Sequence, residues 1–221
     1  MTLTRATLAR YIESVILKPE GTRQEVIRLC EDAVKYNFVT ACVHGCYVAL
    51  AKSIVQGTAV GVIAPAGFPF GTNTTATKVF ETQDAVKNGV DEIDMMLFMG
   101  ALKDRLYDLV RDDIRAVVQA AEGRVVKVIL ETALLTREEK VAACKIAMEA
   151  GASFVKTSTG NALPGATVED IKLMRATVGS KLGVKASGGI NTLQDTLAFI
   201  EAGATRVASR SAVAIVDSLK E

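Results

Sequence analysis

Lys156, Lys185 and Asp94 each stand inside a short run of otherwise mostly apolar residues that is typical of a buried strand. A charge in such a place is costly unless it is paired or used. Two ammonium groups held close together repel each other, and burial adds to that effect, so both effects lower a lysine pKa. The pattern therefore predicts a free amine near neutral pH.

A neutral lysine amine attacks a carbonyl carbon and forms an imine, which makes or breaks a neighbouring carbon–carbon bond. We assign this role to Lys156 and expect Lys185 to perturb its pKa. Asp94, acting with water, is our candidate for moving protons. Two alternatives stay open: a strand-end lysine can reach out to solvent, and Asp94 can simply balance the charge of Lys127 or Lys185. The chemistry needs no metal and no cofactor.

Glycine and serine residues late in the chain predict an anion site. Gly188-Gly189 follows one predicted strand and Ser209-Arg-Ser211 follows the next, while Gly160 comes shortly after Lys156. In barrels, the loops after the last two strands commonly bind phosphate through backbone N–H groups. The alternative is that these glycines only make tight turns.

Eight short runs rich in β-branched residues alternate with longer helical patterns, and their starts lie roughly 20 to 35 residues apart, the length of a strand plus a crossover helix. The predicted strands are Glu13–Ile16, Val39–Val43, Val60–Ala64, Glu92–Met96, Val125–Leu130, Ser153–Thr157, Gly183–Ala186 and Arg206–Ser209. The predicted helices include Arg23–Tyr36, one from the Thr136/Glu139 capping box to Ala150, Ile171–Val178 after Thr167 and Asp170, and Leu193–Ala202 after Asn191 or Thr192.

This order predicts an α/β fold, a single (β/α)8 TIM barrel that spans residues 1–221 as one domain. An open doubly wound sheet is the alternative, but the Gly-x-Gly-x-x-Gly fingerprint expected after its first strand does not occur. In a barrel, the site lies where the strands meet the loops that follow them, which is where the lysines and glycines fall.

Composition narrows the function classes. The net charge is +1 and no basic run stands out, so nucleic acid is a poor candidate partner. No apolar stretch is long enough to span a membrane, and the N-terminus lacks the apolar core of a signal peptide, so we expect a cytoplasmic protein. The four cysteines are then expected to be free thiols. The same pass along the chain shows no P-loop, no Gly-x-Ser-x-Gly elbow and no nicotinamide or flavin motif.

Cys42, His44 and Cys46 resemble metal ligands, because alternation along a strand would place all three on one face. No second cluster of cysteine and histidine completes a zinc site, so we expect strand residues near a pocket instead.

The sequence resembles the deoxyribose-phosphate aldolase family over nearly its whole length. The matching motifs are Leu17-Lys-Pro19, Gly67-Phe-Pro69, Asn73-Thr-Thr75, Glu92-Ile-Asp-Met95, Glu131-Thr132, Leu134-Leu-Thr136, Phe154-Val-Lys-Thr-Ser-Thr-Gly160, Gly165-Ala-Thr167 and Gly183-Val-Lys-Ala-Ser-Gly-Gly189. The resemblance implies reversible cleavage of 2-deoxy-D-ribose 5-phosphate to D-glyceraldehyde 3-phosphate and acetaldehyde. It also implies that Lys156 forms the Schiff base, that Lys185 is the second lysine, and that Asp94 relays protons. The family is often dimeric, so a homodimer is expected.

The departures from the family pattern cluster near the expected pocket. Glu13 replaces an aspartate, Phe98 an asparagine and Asn161 an aromatic residue, while His44-Gly45 replaces Asn-Pro and Arg210 a phosphate-contacting serine. If Phe98 faces inward, it favours an apolar substrate. Arg210 is expected to clamp a phosphate, to fill its space or to recruit a carboxylate. The residues that we assign to substrate binding are Glu13, Cys42, Lys127, Gly160, Gly188, Gly189, Ser209, Arg210 and Ser211.

Three functions follow from these features. The first is deoxyribose-phosphate aldolase activity on an aldehyde or sugar-phosphate substrate. The second is a carboligase that uses the same iminium or enamine to join unphosphorylated aldehydes or enals. The third is a non-catalytic barrel that binds a phosphorylated metabolite. Borohydride trapping on Lys156 separates the third from the first two, and cleavage of deoxyribose 5-phosphate separates the first from the second.

Overall fold

The computed structural model describes residues 3–161 and 164–220. Within these ranges, eight parallel strands pair in chain order and the last pairs with the first, which closes the sheet into a barrel. The predicted (β/α)8 barrel is therefore confirmed, and the open-sheet alternative is wrong. The prediction of one domain over residues 1–221 includes residues 1, 2, 162, 163 and 221, which lie outside the described ranges.

The eight strands of the described barrel keep the predicted order, and their bounds move by at most two residues. Strands β4 and β8 have the predicted bounds. The strands are β1 Ile12–Val15, β2 Thr40–Cys42, β3 Gly61–Ala66, β4 Glu92–Met96, β5 Val125–Ile129, β6 Phe154–Lys156, β7 Gly183–Ser187 and β8 Arg206–Ser209. Below, the carboxyl ends of the strands are called the top of the barrel and the amino ends its bottom.

Helices follow the strands and cover the outside of the barrel. In the described ranges they are α1 Arg5–Ala9, α2 Arg23–Tyr36, α3 Val48–Val55, α4 Thr75–Lys87, α5 Met99–Lys103, α6 Tyr107–Ala120, α7 Arg137–Glu149, α8 Val168–Val178, α9 Leu193–Glu201 and α10 Ala212–Asp217. A search of these described helices finds none that combines the length and apolar character needed to cross a bilayer.

Side-chain caps fix the starts of the helices that were predicted from sequence. Thr136 and Glu139 form the expected capping box, in which each side chain accepts from the backbone N–H of the other. Thr167 accepts from the N–H of Asp170, so α8 begins at Val168, three residues before the predicted start. Thr192, and not Asn191, caps α9. Local hydrogen bonds therefore decide the first turns.

The two faces of the strands differ sharply in polarity. Outward residues such as Val126, Val155 and Val184 are buried under the helices and form the main apolar core. Residues on the inner face alternate with them and include Lys127 and Lys185, which are also buried. The centre of this barrel is thus charged rather than packed with branched aliphatic side chains, and each charge needs a partner.

Candidate active site

Five charged side chains from five strands meet inside the barrel. They are Glu13 on β1, Asp94 on β4, Lys127 on β5, Lys156 on β6 and Lys185 on β7, and none is more than 2% exposed. Asp94 is in register with Lys127, and Lys156 is in register with Lys185. Paired positions on neighbouring strands point to the same face. The strand register therefore confirms the prediction that the two lysines lie on adjacent strands.

Asp94 is the centre of this cluster because its two oxygens hold three lysines. Its Oδ2 accepts from Lys156 Nζ at 2.8 Å and from Lys185 Nζ at 2.7 Å. Its Oδ1 accepts from Lys127 Nζ at 3.2 Å. Burial raises the pKa of this carboxyl group, but the three ammonium groups overcome that effect and hold the pKa well below its ordinary value. Asp94 is therefore a carboxylate at neutral pH.

The three lysines differ in how many carboxylates they contact. Lys127 forms ion pairs with Glu13, Glu92 and Asp94. Lys185 forms ion pairs with Glu13 and Asp94. For Lys156, Asp94 is the one carboxylate within ion-pair distance among the described residues. A buried ammonium needs such partners to offset its lost hydration. Lys156 is therefore the lysine that gives up its proton most easily.

The pKa of Lys156 lies below its ordinary value of 10.5. Burial is the largest cause, Asp94 opposes it, and the charge of Lys185 lowers the pKa further. The expectation from sequence thus holds for the direction of the shift and for the contribution of the second lysine. Both expected causes act, and burial lowers the pKa more than repulsion does.

The pKa of Lys185 shifts in the opposite direction from that of Lys156. Burial lowers its pKa, but Asp94 and Glu13 more than compensate, so the pKa is raised above 10.5. Lys185 therefore stays an ammonium. A charged Lys185 agrees with the expectation of one free amine beside a second cation, but the sequence did not reveal that Glu13 would contact Lys185.

Glu13 and Lys127 lie toward the bottom of the cluster, away from the cavity at the top. Glu13 contacts Lys185 and lies 3.7 Å from Lys127 and 3.6 Å from Arg206. Burial raises the Glu13 pKa, yet Lys127 and Lys185 bring it below its ordinary value. Burial lowers the Lys127 pKa, yet Asp94 and Glu13 bring it above 10.5. Both groups are therefore charged, and each neutralises the other.

A cavity of about 260 Å³ opens at the top of the barrel, and the lining residues nearest to the lysines are Thr159, three residues beyond Lys156, and Ser187, two residues beyond Lys185. Five residues that were predicted from sequence to bind the substrate phosphate line it. They are Gly160, Gly188, Gly189, Ser209 and Arg210. Gly188 and Gly189 have φ values of 90° and 77°, which favour glycine, and a Cβ on Gly188 would lie 3.0 Å from Gly165 Cα. The glycines thus shape this cavity.

Arg210 is the cationic residue among the described groups that line this cavity. Its Nη2 donates to the Gly160 carbonyl at 3.2 Å, which holds the exposed guanidinium over the rim. Ser211 does not line the cavity, but its backbone N–H donates to Ser209 Oγ at 2.9 Å. The cavity therefore combines one cation and several glycine and serine residues with an apolar side formed by Val15, Leu17 and Ile190, and its polar side suits an anion.

Cys42 forms part of an apolar wall and does not line the cavity. It is buried with Leu17 and Ile63, and Val15 and Phe68 pack against this group. Burial raises the pKa of the Cys42 thiol to about 12, so it is a thiol at neutral pH.

The expected alternation of Cys42, His44 and Cys46 along one strand is wrong. Strand β2 ends at Cys42, and a short 3₁₀ turn covers Gly45–Tyr47. His44 lies instead beside Phe68, with ring centroids 6.3 Å apart. Side chains two residues apart share a face only while the backbone stays extended. Here the extended strand ends at Cys42, and the backbone then turns.

Two other departures from the family pattern fall in different places. Asn161 lines the cavity, as its position predicted. Phe98 does not: its ring lies 5.8 Å from Lys78 Nζ and packs against the apolar core outside the barrel. The condition that Phe98 faces inward is therefore not met, and it gives no support to an apolar substrate.

Sequence reasoning missed two members of the charged cluster, Glu92 and Arg206. Each stands at the start of a strand, two residues before an inner-face residue, so period-two alternation places it on the inner face as well. Glu92 contacts Lys127, and Arg206 lies near Glu13. Searching only the late parts of strands, where barrel sites usually lie, left them out.

A parallel barrel with a buried lysine of lowered pKa, one carboxylate partner and an anion-sized cavity beside it defines the class of Schiff-base aldolases. Residues 14–212 match the model of the DeoC/LacD family aldolases. The chain belongs to this family.

The chain also resembles individual members closely. It is 54% identical over 209 residues to a deoxyribose-phosphate aldolase from Streptococcus sanguinis, with 95% of each chain covered. A solved structure from Coccidioides immitis, provisionally described as a deoxyribose-phosphate aldolase, has a TM-score of 0.95 at 41% identity, covering 97% of this chain and 86% of the other. The tetrameric deoxyribose phosphate aldolase of Aeropyrum pernix has a TM-score of 0.91 at 29% identity, covering 97% and 92%.

Proposed function

We propose that this chain is a deoxyribose-phosphate aldolase, a carbon–carbon lyase that reversibly cleaves 2-deoxy-D-ribose 5-phosphate. The products are D-glyceraldehyde 3-phosphate and acetaldehyde. The similarity to relatives of that name supports the substrate. The observation that carries the chemistry is the position of Lys156, a buried amine with a single carboxylate partner next to a cavity that suits a phosphate.

In the first step, the neutral amine of Lys156 attacks C1 of the open-chain sugar. The carbinolamine then takes up a proton and loses water, which leaves an iminium. Asp94 is placed to move these protons, because its Oδ2 lies 2.8 Å from the Lys156 nitrogen. Lys185 stays an ammonium, fixes the same oxygen and disfavours a second positive charge on Lys156 before the imine forms.

In the second step, the C3 hydroxyl loses its proton to Asp94 through a water molecule. The electrons of the C2–C3 bond move to C1–C2, which gives glyceraldehyde 3-phosphate and an enamine on Lys156. The enamine takes up a proton at C2, and hydrolysis of the resulting imine releases acetaldehyde and restores the amine. The water released in the first step balances the water consumed in the last.

The remaining site residues support this reaction from three positions. Gly160, Gly188, Gly189, Ser209 and Arg210 bind the phosphate at the top, with Ser211 orienting Ser209. Cys42 contributes an apolar wall. Glu13 and Lys127 are positioning residues, since Lys127 donates to Asp94 Oδ1 and Glu13 contacts Lys185.

Cleavage of deoxyribose 5-phosphate, followed by the release of both aldehydes, tests this function. We expect turnover without added metal or cofactor, and we expect Lys156→Met to abolish it. The carboligase alternative predicts slow cleavage together with fast condensation of unphosphorylated aldehydes. The binding-only alternative predicts no turnover of either kind, and either of these results would overturn the proposal.

The homodimer expected from the resemblance stays part of this proposal, as does the cytoplasmic location. Self-association is supported by Phe70 and Phe80, whose side chains are 70% and 69% exposed near the start of α4. Light scattering on the purified chain measures the number of subunits directly, and a monomer would contradict the expectation.

A further inference from the structure

Glu92 lies at the bottom of the barrel, on the far side of the charged cluster from the cavity. Its carboxylate contacts the Lys127 ammonium from below. It is 12% exposed, unlike the fully buried Asp94 two residues further along β4. It lines a depression of about 360 Å³ together with Thr40 and Arg206. Glu92, together with Arg206, thus extends the cluster to the opposite end of the barrel.

The packing around Lys127 explains why this carboxylate matters. The Lys127 ammonium lies 5.8 Å from the centre of the Phe154 ring, and the Arg206 guanidinium lies 5.5 Å from the same ring. Gly183 makes room for that ring, because a Cβ there would lie 2.0 Å from it. An aromatic face attracts a cation but does not neutralise it. Glu92 is the carboxylate that balances Lys127 from this side, in addition to Glu13 and Asp94.

The three lysines divide the oxygens of Asp94 unevenly. Lys127 takes Oδ1 at 3.2 Å, whereas Lys156 and Lys185 share Oδ2 at 2.8 and 2.7 Å. The contact from Lys127 is the longest of the three, and Lys127 has Glu92 as a closer partner. Glu92 thus keeps the Lys127 ammonium from moving closer to Asp94, the carboxylate that contacts Lys156.

We propose that Glu92 is a positioning residue that acts through Lys127 and Asp94 on Lys156, from the opposite end of the barrel. This inference rests on the proposed role of Lys156 as the imine-forming amine. Without the Glu92 charge, Lys127 draws Asp94 toward the bottom and the barrel interior becomes more positive. Both changes disfavour the ammonium form of Lys156 and also displace the carboxylate that moves protons.

Other charged groups face the same region and have their own partners. Asp91, in the turn before β4, pairs with Lys52 on α3 at 2.7 Å. Arg206 on β8 lies near Glu13 on β1. The charged groups around Glu92 are Arg10, Lys52, Asp91, Asp94, Lys127, Arg206 and Glu13.

The test is the pH dependence of borohydride trapping of acetaldehyde in Glu92→Gln. Acetaldehyde is preferred to the sugar phosphate because its charge does not change with pH, whereas a phosphate monoester titrates near pH 6. The trapping rate falls at low pH, where Lys156 is protonated, and this falling part of the pH profile is called the acid limb. We expect the acid limb of Glu92→Gln to lie about 0.5 to 1 pH unit lower than that of the wild type. We also expect kcat for deoxyribose 5-phosphate to fall roughly tenfold with a small change in KM, because proton transfer is impaired.

Asp91→Asn is the matched control. It removes the same charge from the neighbouring residue but leaves the contacts of Lys127 intact, so its acid limb should coincide with that of the wild type. If the limbs of both variants coincide with the wild type while Lys156 is still trapped, the role of Glu92 is refuted and the proposed function survives. If the wild type itself gives no trapped adduct, the proposed function fails first.

Glu92→Asp provides a second variant, which keeps the charge and tests the reach of the side chain. Its carboxylate is one methylene further from Lys127, so we expect a shift in the same direction but smaller. An acid limb equal to that of the wild type, together with unchanged kcat, would overturn the proposal even if Glu92→Gln does not fold.

Discussion

Lys156 and Lys185 donate to the same oxygen of Asp94, at 2.8 and 2.7 Å, yet their pKa values shift in opposite directions. Burial and the contact with Asp94 act on both lysines. Neither of them therefore explains why the two pKa values shift in opposite directions. The difference is Glu13, which contacts Lys185 as a second carboxylate. The number of carboxylate partners, and not the distance between the lysines alone, decides which lysine has the lowered pKa.

Replacing Lys185 with methionine should make Lys156 less reactive. The positive charge of Lys185 lowers the Lys156 pKa, so its removal raises that pKa and moves the acid limb of the trapping rate to higher pH. If the Lys156 pKa rises by about one pH unit, trapping of acetaldehyde at pH 7 should slow roughly tenfold, because the neutral fraction of the amine falls by that factor. The measurement is the rate of adduct formation against pH, followed by intact mass.

Lys78→Met is the control for Lys185→Met, because Lys78 is equally buried but pairs with Asp113 on the outside of the barrel. It should lose stability without moving the acid limb. Equal reactivity of Lys156 at pH 7 in wild type and Lys185→Met would show that the second lysine does not perturb the first.

Arg210→Ala should weaken the use of phosphorylated substrate. The variant loses a charge-assisted hydrogen bond to the phosphate. We therefore expect kcat/KM for deoxyribose 5-phosphate to fall about tenfold. Unphosphorylated deoxyribose serves as the internal control, since its cleavage does not use this contact. A loss of the same size for both sugars would mean that Arg210 shapes the cavity rather than binding the phosphate.

Lys156→Met should abolish activity but stabilise the fold at neutral pH. The Lys156 pKa is lower in the folded chain than its ordinary 10.5. The folded chain therefore binds this proton less tightly than the unfolded chain does. This difference lowers the free energy of unfolding. The reduction is present in full below the pKa that Lys156 has in the folded chain, and it disappears as the pH rises past 10.5. Methionine has a similar volume and no charge to bury.

Urea unfolding of Lys156→Met at pH 7 measures this gain, which we expect to be about 1 kcal/mol. The gain should shrink at pH 10. A variant that is less stable than the wild type at pH 7 would show that the contact with Asp94 outweighs the burial of the amine.

The barrel was largely predictable from the sequence because its elements are locally encoded. β-Branched runs at regular spacing indicated all eight strands in order, and capping residues such as Thr136 indicated helix starts. The bounds were less predictable where tertiary hydrogen bonds decide them. Strand β2 stops at Cys42 because the chain then enters a 3₁₀ turn, which the apolar run did not indicate.

The centre of the candidate site was also predictable, since charges inside apolar strands are conspicuous. Lys156, Lys185 and Asp94 meet as expected. What the sequence does not reveal is which partners each charge acquires across the barrel. The contact of Glu13 with Lys185 joins β1 to β7, which are far apart along the chain, and it depends on barrel closure. The raised pKa of Lys185 follows only from that closure, whereas Glu92 contacts Lys127 between the neighbouring strands β4 and β5.

Borohydride trapping of acetaldehyde at pH 7, followed by peptide mapping, tests the central claim most directly. The account predicts one reduced two-carbon adduct per chain, located on Lys156, and no adduct in Lys156→Met. An adduct on Lys185 or Lys127 in the wild type, or none at all, would contradict it.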